Sequence, residues 1–189
     1  MTRSQGVLPN HPSVSHHARH RGATGHGLAL IELLTAIALL AILLGIGIPS
    51  FTGLLQRWRT DATIESLTAD VRLARSTATR TSRPVVMCPR AADGTCSAGD
   101  DWSMGWMVFS DTNGNDALDT GEPVIRERQA PTGIASMADD NRPALLTFRA
   151  NGTLRKGRTS VAIRPSHAAE ATASVVINAM GRVYVQAGN

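Results

Sequence analysis

The chain has 189 residues, 42% of them apolar and only 4% aromatic, with two cysteines and a formal net charge of +4. That length fits one domain plus an anchoring segment, and so few aromatics predict a soluble core resting on Val, Ile, Leu and Ala. A strongly basic protein is excluded: Arg3, Arg19 and Arg21 lie in residues 1–27, which hold no acid, leaving 16 basic against 15 acidic residues beyond them.

Residues 1–27 show no periodicity and are rich in His, Ser, Gly and Pro, so no ordered element is expected there. Five of the six histidines fall in this stretch. His16, His17 and His20 suggest metal, but no Cys or carboxylate accompanies them, and a solvated leader is the preferred reading. Arg19 and Arg21, just ahead of an apolar run, keep this end on the cytoplasmic side by the positive-inside rule.

The run itself covers residues 28–48, 21 positions with the single charge of Glu32. As a helix it would be about 31 Å long, enough to cross the hydrocarbon core. A signal peptide has a shorter apolar region and a small-residue cleavage site, whereas this run ends in Gly-Ile-Pro-Ser. A single-pass helix with the remainder of the chain in the periplasm is therefore expected. A carboxylate within such a segment costs about 2–3 kcal/mol and needs a partner.

Gly27, the apolar run, Glu32 five residues after that glycine, and Pro49 together resemble the prepilin N-terminus of type IV pilins and type II secretion pseudopilins. The resemblance implies that a membrane-embedded prepilin peptidase cuts after Gly27 and methylates the new terminus at Leu28. It also implies that Glu32 meets the terminal amine of a neighbouring subunit during assembly. Pro49 takes the place of a helix-bending proline, and Leu28 stands where the family usually has Phe. At 27 residues the leader is long for that family, and a start downstream of Met1 stays open.

Residues 49–83 continue as helix. Ile64, Leu67, Val71, Ala74 and Ala78 recur at three- and four-residue steps, an apolar stripe to lay on a sheet. Arg57, Arg59, Arg72, Arg75 and Arg80 are expected on the wet faces. Leu54, Leu55 and Trp58 are read either as interfacial anchors or as inter-subunit packing. Pro84 biases Arg83 away from helix and ends the element.

From residue 84 to 189 the period shortens. Val85-Val86-Met87-Cys88, Trp106-Met107-Val108-Phe109, Val124-Ile125-Arg126-Glu127-Arg128, Leu145-Leu146-Thr147-Phe148, Val161-Ala162-Ile163, Val175-Val176-Ile177 and Val183-Tyr184-Val185 read as short strands between turns. Asn151-Gly152 signals a tight turn, and residues 178–181 a last hairpin. The fold class is α+β: a long helix, its first half transmembrane, packed on a mostly antiparallel sheet domain.

Cys88 and Cys96, facing an oxidising periplasm, predict a disulfide. Asp111, Asn113, Asn115, Asp119 and Glu122 follow the 1, 3, 5, 9, 12 spacing of a calcium loop, but Asp116 occupies the sixth position, where glycine is needed, and the flanks read as strands. A metal-free Asx-rich turn is the preferred reading, so no cofactor is expected, with calcium at this loop as the alternative.

Cys88-Pro89, Cys96, Asp101-Trp102-Ser103-Met104-Gly105-Trp106, the acidic Asn-rich loop and Gly121-Glu122-Pro123 resemble the GspH/FimT family of minor pseudopilins. That resemblance implies a structural subunit of a type IV pilus or a type II secretion pseudopilus. The implied partners are other pilin subunits, the prepilin peptidase, an inner-membrane assembly platform and membrane lipid. Some members of the FimT branch bind DNA in natural transformation through Gly-Arg-x-Arg. Here the stretch is Gly181-Arg182-Val183-Tyr184, with tyrosine for the second arginine.

Charge is uneven beyond the helix: residues 88–140 carry 3 basic and 10 acidic side chains, and residues 141–189 carry 7 basic and 1 acidic. The alternative function is thus a DNA-binding minor pilin gripping phosphate with Arg182, Arg155, Lys156 and Arg158, and with Tyr184 available to stack on a base. The other reading is a basic face solvated, or matched by acids of another subunit. No G-x-S-x-G, H-E-x-x-H or phosphate-binding glycine loop occurs, and catalysis is not expected.

Overall fold

The computed structural model describes residues 26–142 and 144–188, with the side chains of the helix described over 29–45 and 51–81. The sequence-predicted leader lies outside the described residues as far as position 25. One helix, α1 (His26–Thr81), precedes eight strands: β1 (Val85–Pro89), β2 (Gly105–Ser110), β3 (Val124–Gln129), β4 (Ile134–Asp139), β5 (Leu146–Phe148), β6 (Thr159–Pro165), β7 (Ala173–Ile177) and β8 (Val183–Ala187). The chain divides into two units, Met1–Ile46 and Gly47–Asn189.

In the first unit the helix presents apolar side chains all round. Every large apolar residue between positions 30 and 44 is more than half exposed. Among the described residues no helix is long and apolar enough to cross a membrane. The described side chains here begin at 29 and stop at 45, short of the 28–48 span read from the sequence.

In the second unit the helix has a core-facing stripe. Leu67, Val71, Ala74 and Ala78 are fully buried, and Ile64 packs against them. The helix ends at Thr81, two residues before the predicted end, where Ser82 takes a left-handed φ of 54° and breaks the helical path ahead of Pro84.

Seven of the eight strands coincide with predicted ones. β4, whose only large apolar residues are Ile134 and Met137, was not foreseen. Nor are the strands in one sheet. They form two four-stranded antiparallel sheets, ordered β3-β2-β1-β5 and β4-β6-β7-β8. The β7–β8 hairpin closes as expected, with the Asn178 N–H donating to Arg182 O at 2.9 Å and the Gly181 N–H to Asn178 O.

Both sheets bury one face against the helix stripe. Val85, Met87, Val108, Leu146 and Phe148 come from the first sheet, and Val161, Ile163, Val175 and Ile177 from the second. On the opposite face of the first sheet a smaller cluster of Val86, Cys88, Met107 and Phe109 is capped by Cys96, Leu118 and Leu145. The core rests mainly on Val, Ile, Leu and Ala, as the composition predicts, with a few large aromatics among them. Its largest fully buried side chains include Trp102, Trp106, Phe109 and Phe148, because the few aromatics present are concentrated inside.

Candidate subunit-contact and ligand sites

The predicted cleavage pair, Gly27 and Leu28, has its backbone in α1, and the Leu28 side chain falls outside the described ones. Glu32 is exposed among the apolar side chains of the helix, and its backbone carbonyl accepts the Thr35 hydroxyl at 2.9 Å. No ion pair involves its carboxylate among the described residues. Trp58 and Leu54 further along are exposed as well.

Cys88 and Cys96 are joined as a disulfide. Cys88 lies in β1, and an isolated bridge between Arg90 and Cys96 brings the chain back beside it. The bond holds this excursion against the smaller core cluster, so its role is to tie a loop to the back of the first sheet.

The 111–122 loop closes on its own hydrogen bonds. Asp111, fully buried, accepts N–H groups of Gly114, Asn115 and Asp116. Asp119 accepts both Asn113 Nδ2 (2.8 Å) and Asn115 Nδ2 (2.7 Å), and these bonds hold its carboxyl below the usual carboxylate range. Glu122 is pushed up by desolvation, but the Thr112 and Asp119 donors outweigh it and leave its pKa lowered. Asp116 adopts a φ of 64°, a conformation Asp tolerates better than most non-glycine residues. Among the described residues no group of three or more His, Cys, Asp or Glu is arranged to hold a metal ion. Leu118, carried by this loop, packs on the smaller core cluster.

Two of the four basic residues assigned to DNA have acidic partners in the same chain. Arg155 pairs with Asp116 at 2.8 Å and Arg158 with Asp140 at 3.8 Å. Arg142 likewise pairs with Asp100, whose carboxyl is lowered by that contact. Three of the seven basic residues of the C-terminal part thus pair with acids of the middle region of the same chain. Arg182 stands apart from these pairs. With Arg72, Arg75, Ser76, Thr79, Gly181 and Val183 it lines a groove of about 540 Å³ between the helix and the β7–β8 turn. Gly181, at φ 73°, is forced: a Cβ there would meet Gly152 O at 2.3 Å. Arg75 donates its Nε–H to the same carbonyl at 3.2 Å.

Two buried carboxylates escaped sequence reasoning. Asp70, only 2% exposed, accepts Trp106 Nε1 (2.9 Å) and Arg128 Nε (2.8 Å), with Arg126 Nε at 3.6 Å. Its hydrogen bond raises the pKa of Arg128. The signal was present, since Asp70 falls three residues after Leu67 on the apolar stripe. Asp139 accepts Trp102 Nε1 and the Thr159 hydroxyl, and burial pushes its carboxyl pKa up despite those bonds.

A helix fastened by its apolar stripe and one buried carboxylate to two antiparallel sheets is a pilin-like α+β architecture. The solved structures of the type IV minor pilin FimU from Pseudomonas aeruginosa share that fold. One crystal form gives a TM-score of 0.52 at 21% identity over 69% of this chain and 90% of that one; a second gives 0.50 at 21% identity over 67% and 91%. No curated protein matches the sequence. The family model described as type II transport protein GspH matches residues 63–181, more than half of the chain. The chain belongs to the GspH family, whose members are minor pilins and pseudopilins, structural subunits of their assemblies.

Proposed function

We propose that the chain is made as a prepilin, inserts in the inner membrane through residues 28–48, and is drawn from there into a periplasmic filament of the type IV pilus or type II secretion kind. The prepilin peptidase cuts after Gly27 and methylates Leu28. An assembly platform extracts the helix from lipid, and Glu32 contacts the new amine of the adjacent subunit. The observation that carries this reading is the exposed apolar sheath of α1 with one carboxylate in it. Such a surface needs lipid or neighbouring helices around it, and the carboxylate needs a cation. Family membership and the FimU-like fold support the same reading.

The test is Glu32→Ala in the full chain. Membrane insertion and cleavage should be unchanged while incorporation into filaments is lost; incorporation at the ordinary level would remove the proposed contact. No catalytic role is proposed. DNA reception is not advanced as a second reading, since Arg155 and Arg158 already pair with acids of the same chain.

A further inference from the structure

Of the four outer sheet edges, two are paired and a third is charged. Along β4, the segment 100–102 pairs: Trp102 N–H donates to Met137 O at 2.9 Å and Asp139 N–H to Asp100 O at 2.8 Å. Along β5, Phe148 bridges Leu154, and Arg155 N–H donates to Thr147 O at 2.8 Å. β3 carries Arg126, Glu127 and Arg128, charges of the kind that keep an edge from pairing. β8 differs: it reads Val-Tyr-Val-Gln-Ala, with no charge and no proline, and it is largely exposed. Among the described residues no strand lies on its outer side.

The register tells which groups face outward. Arg182 O accepts from Asn178, and Gly188 N–H donates to Thr172 O, so the even-numbered residues of this strand bond inward to β7. Antiparallel alternation then turns the N–H and C=O of Val183, Val185 and Ala187 to the open side. At the start of this edge lies the groove with Arg72, Arg75 and Arg182. None of the three has an acidic partner within ion-pair distance among the described residues.

We propose that the β8 edge is a strand-addition site for an extended acidic segment of another protein subunit, its backbone pairing with Val183, Val185 and Ala187 and its carboxylates entering the Arg72–Arg75–Arg182 groove. Main-chain bonds would supply the affinity and the arginines the direction and the choice of partner. An acidic protein segment is favoured over nucleic acid because the ladder of amide groups matches a peptide backbone, which nucleic acid lacks. A second copy pairing β8 with β8 antiparallel would place Gly188 opposite Arg182 and offer it no acid. The inference does not rest on membrane insertion or cleavage, so its failure leaves that reading untouched.

The probe is a synthetic peptide of about ten residues alternating valine and glutamate, with a valine–lysine peptide as control, titrated into the full chain in detergent. The acidic peptide should bind about tenfold more tightly, the scale of one charge-assisted contact, and should slow amide exchange at Val183, Val185 and Ala187. Val185→Pro removes an outward N–H at an edge position that tolerates proline, and should abolish binding. Arg182→Glu should shift the preference toward the lysine peptide, a readout that survives if the proline variant misfolds. Equal binding of both peptides, or exchange unchanged at those three amides, overturns the proposal. So does binding of a single-stranded oligonucleotide that displaces the acidic peptide and survives Val185→Pro, which assigns the surface to nucleic acid. Self-association of the chain that Val185→Pro abolishes overturns it in favour of a second copy.

Discussion

Trp106 donates its indole N–H to Asp70 across 2.9 Å, and this one bond ties β2 to the helix at the centre of the core. The carboxylate also receives Arg128, so the helix, β2 and β3 meet at a single buried acid. Asp70→Ala would leave the Trp106 N–H unpaired and two arginines without their anion. A loss of about 2–4 kcal/mol is expected from denaturant titration, discounted for the partial exposure of Arg126 and Arg128. Asp70→Asn keeps an acceptor for the indole and should lose less.

The Cys88–Cys96 bond closes a short loop over the smaller core cluster. Its removal by Cys96→Ser, or by reductant, should lower stability by up to about 2.5 kcal/mol on the chain-entropy model. Thermal unfolding with and without reductant measures it, and the Ser variant should be indifferent to reductant.

Asp139 gives a pH dependence of definite sign. Its folded pKa is raised by burial, so the folded state holds a proton that the unfolded chain releases first. The contribution is fully present below the ordinary carboxylate value and is lost as pH rises through the raised one. Asp139→Asn lacks this loss. Denaturation of both proteins at pH 3.5 and at pH 7 should show the Asn variant gaining on the parent at the higher pH; a constant difference would mean that Asp139 does not titrate in this way.

Asp111 organises the acidic loop through three backbone N–H groups. Asp111→Ala should cost about 1–2 kcal/mol by removing the buried acceptor of three partly solvated N–H donors. It should also release Leu118 from the back of the first sheet, seen as faster amide exchange across β1 and β2.

Local signals carried most of the fold. The stripe from Leu67 to Ala78 is visible because helical period and burial coincide, and the Val- and Ile-rich runs mark seven strands. β4 escaped because Ile134-Ala135-Ser136-Met137-Ala138-Asp139 lacks alternation and owes its form to pairing with β6 and the 100–102 segment. The division into two sheets was hidden for a related reason: strand neighbours are chosen by long-range packing. The same limit explains the candidate site. Arg155 and Arg158 read as free cations in sequence, and only the fold brings Asp116 and Asp140 to them. Asp70 was legible as a charge on an apolar stripe, yet its tryptophan and arginine partners lie in strands far along the chain.

The placement of the three tryptophans gives the molecule two separate optical signals. Trp102 and Trp106 are sealed in the core with their N–H groups on carboxylates, while Trp58 stands 60% exposed on the helix. Fluorescence from the first two follows unfolding. Emission from Trp58, and its quenching by a soluble quencher, follows whatever comes to lie against the helix, so one unlabelled sample distinguishes loss of structure from docking.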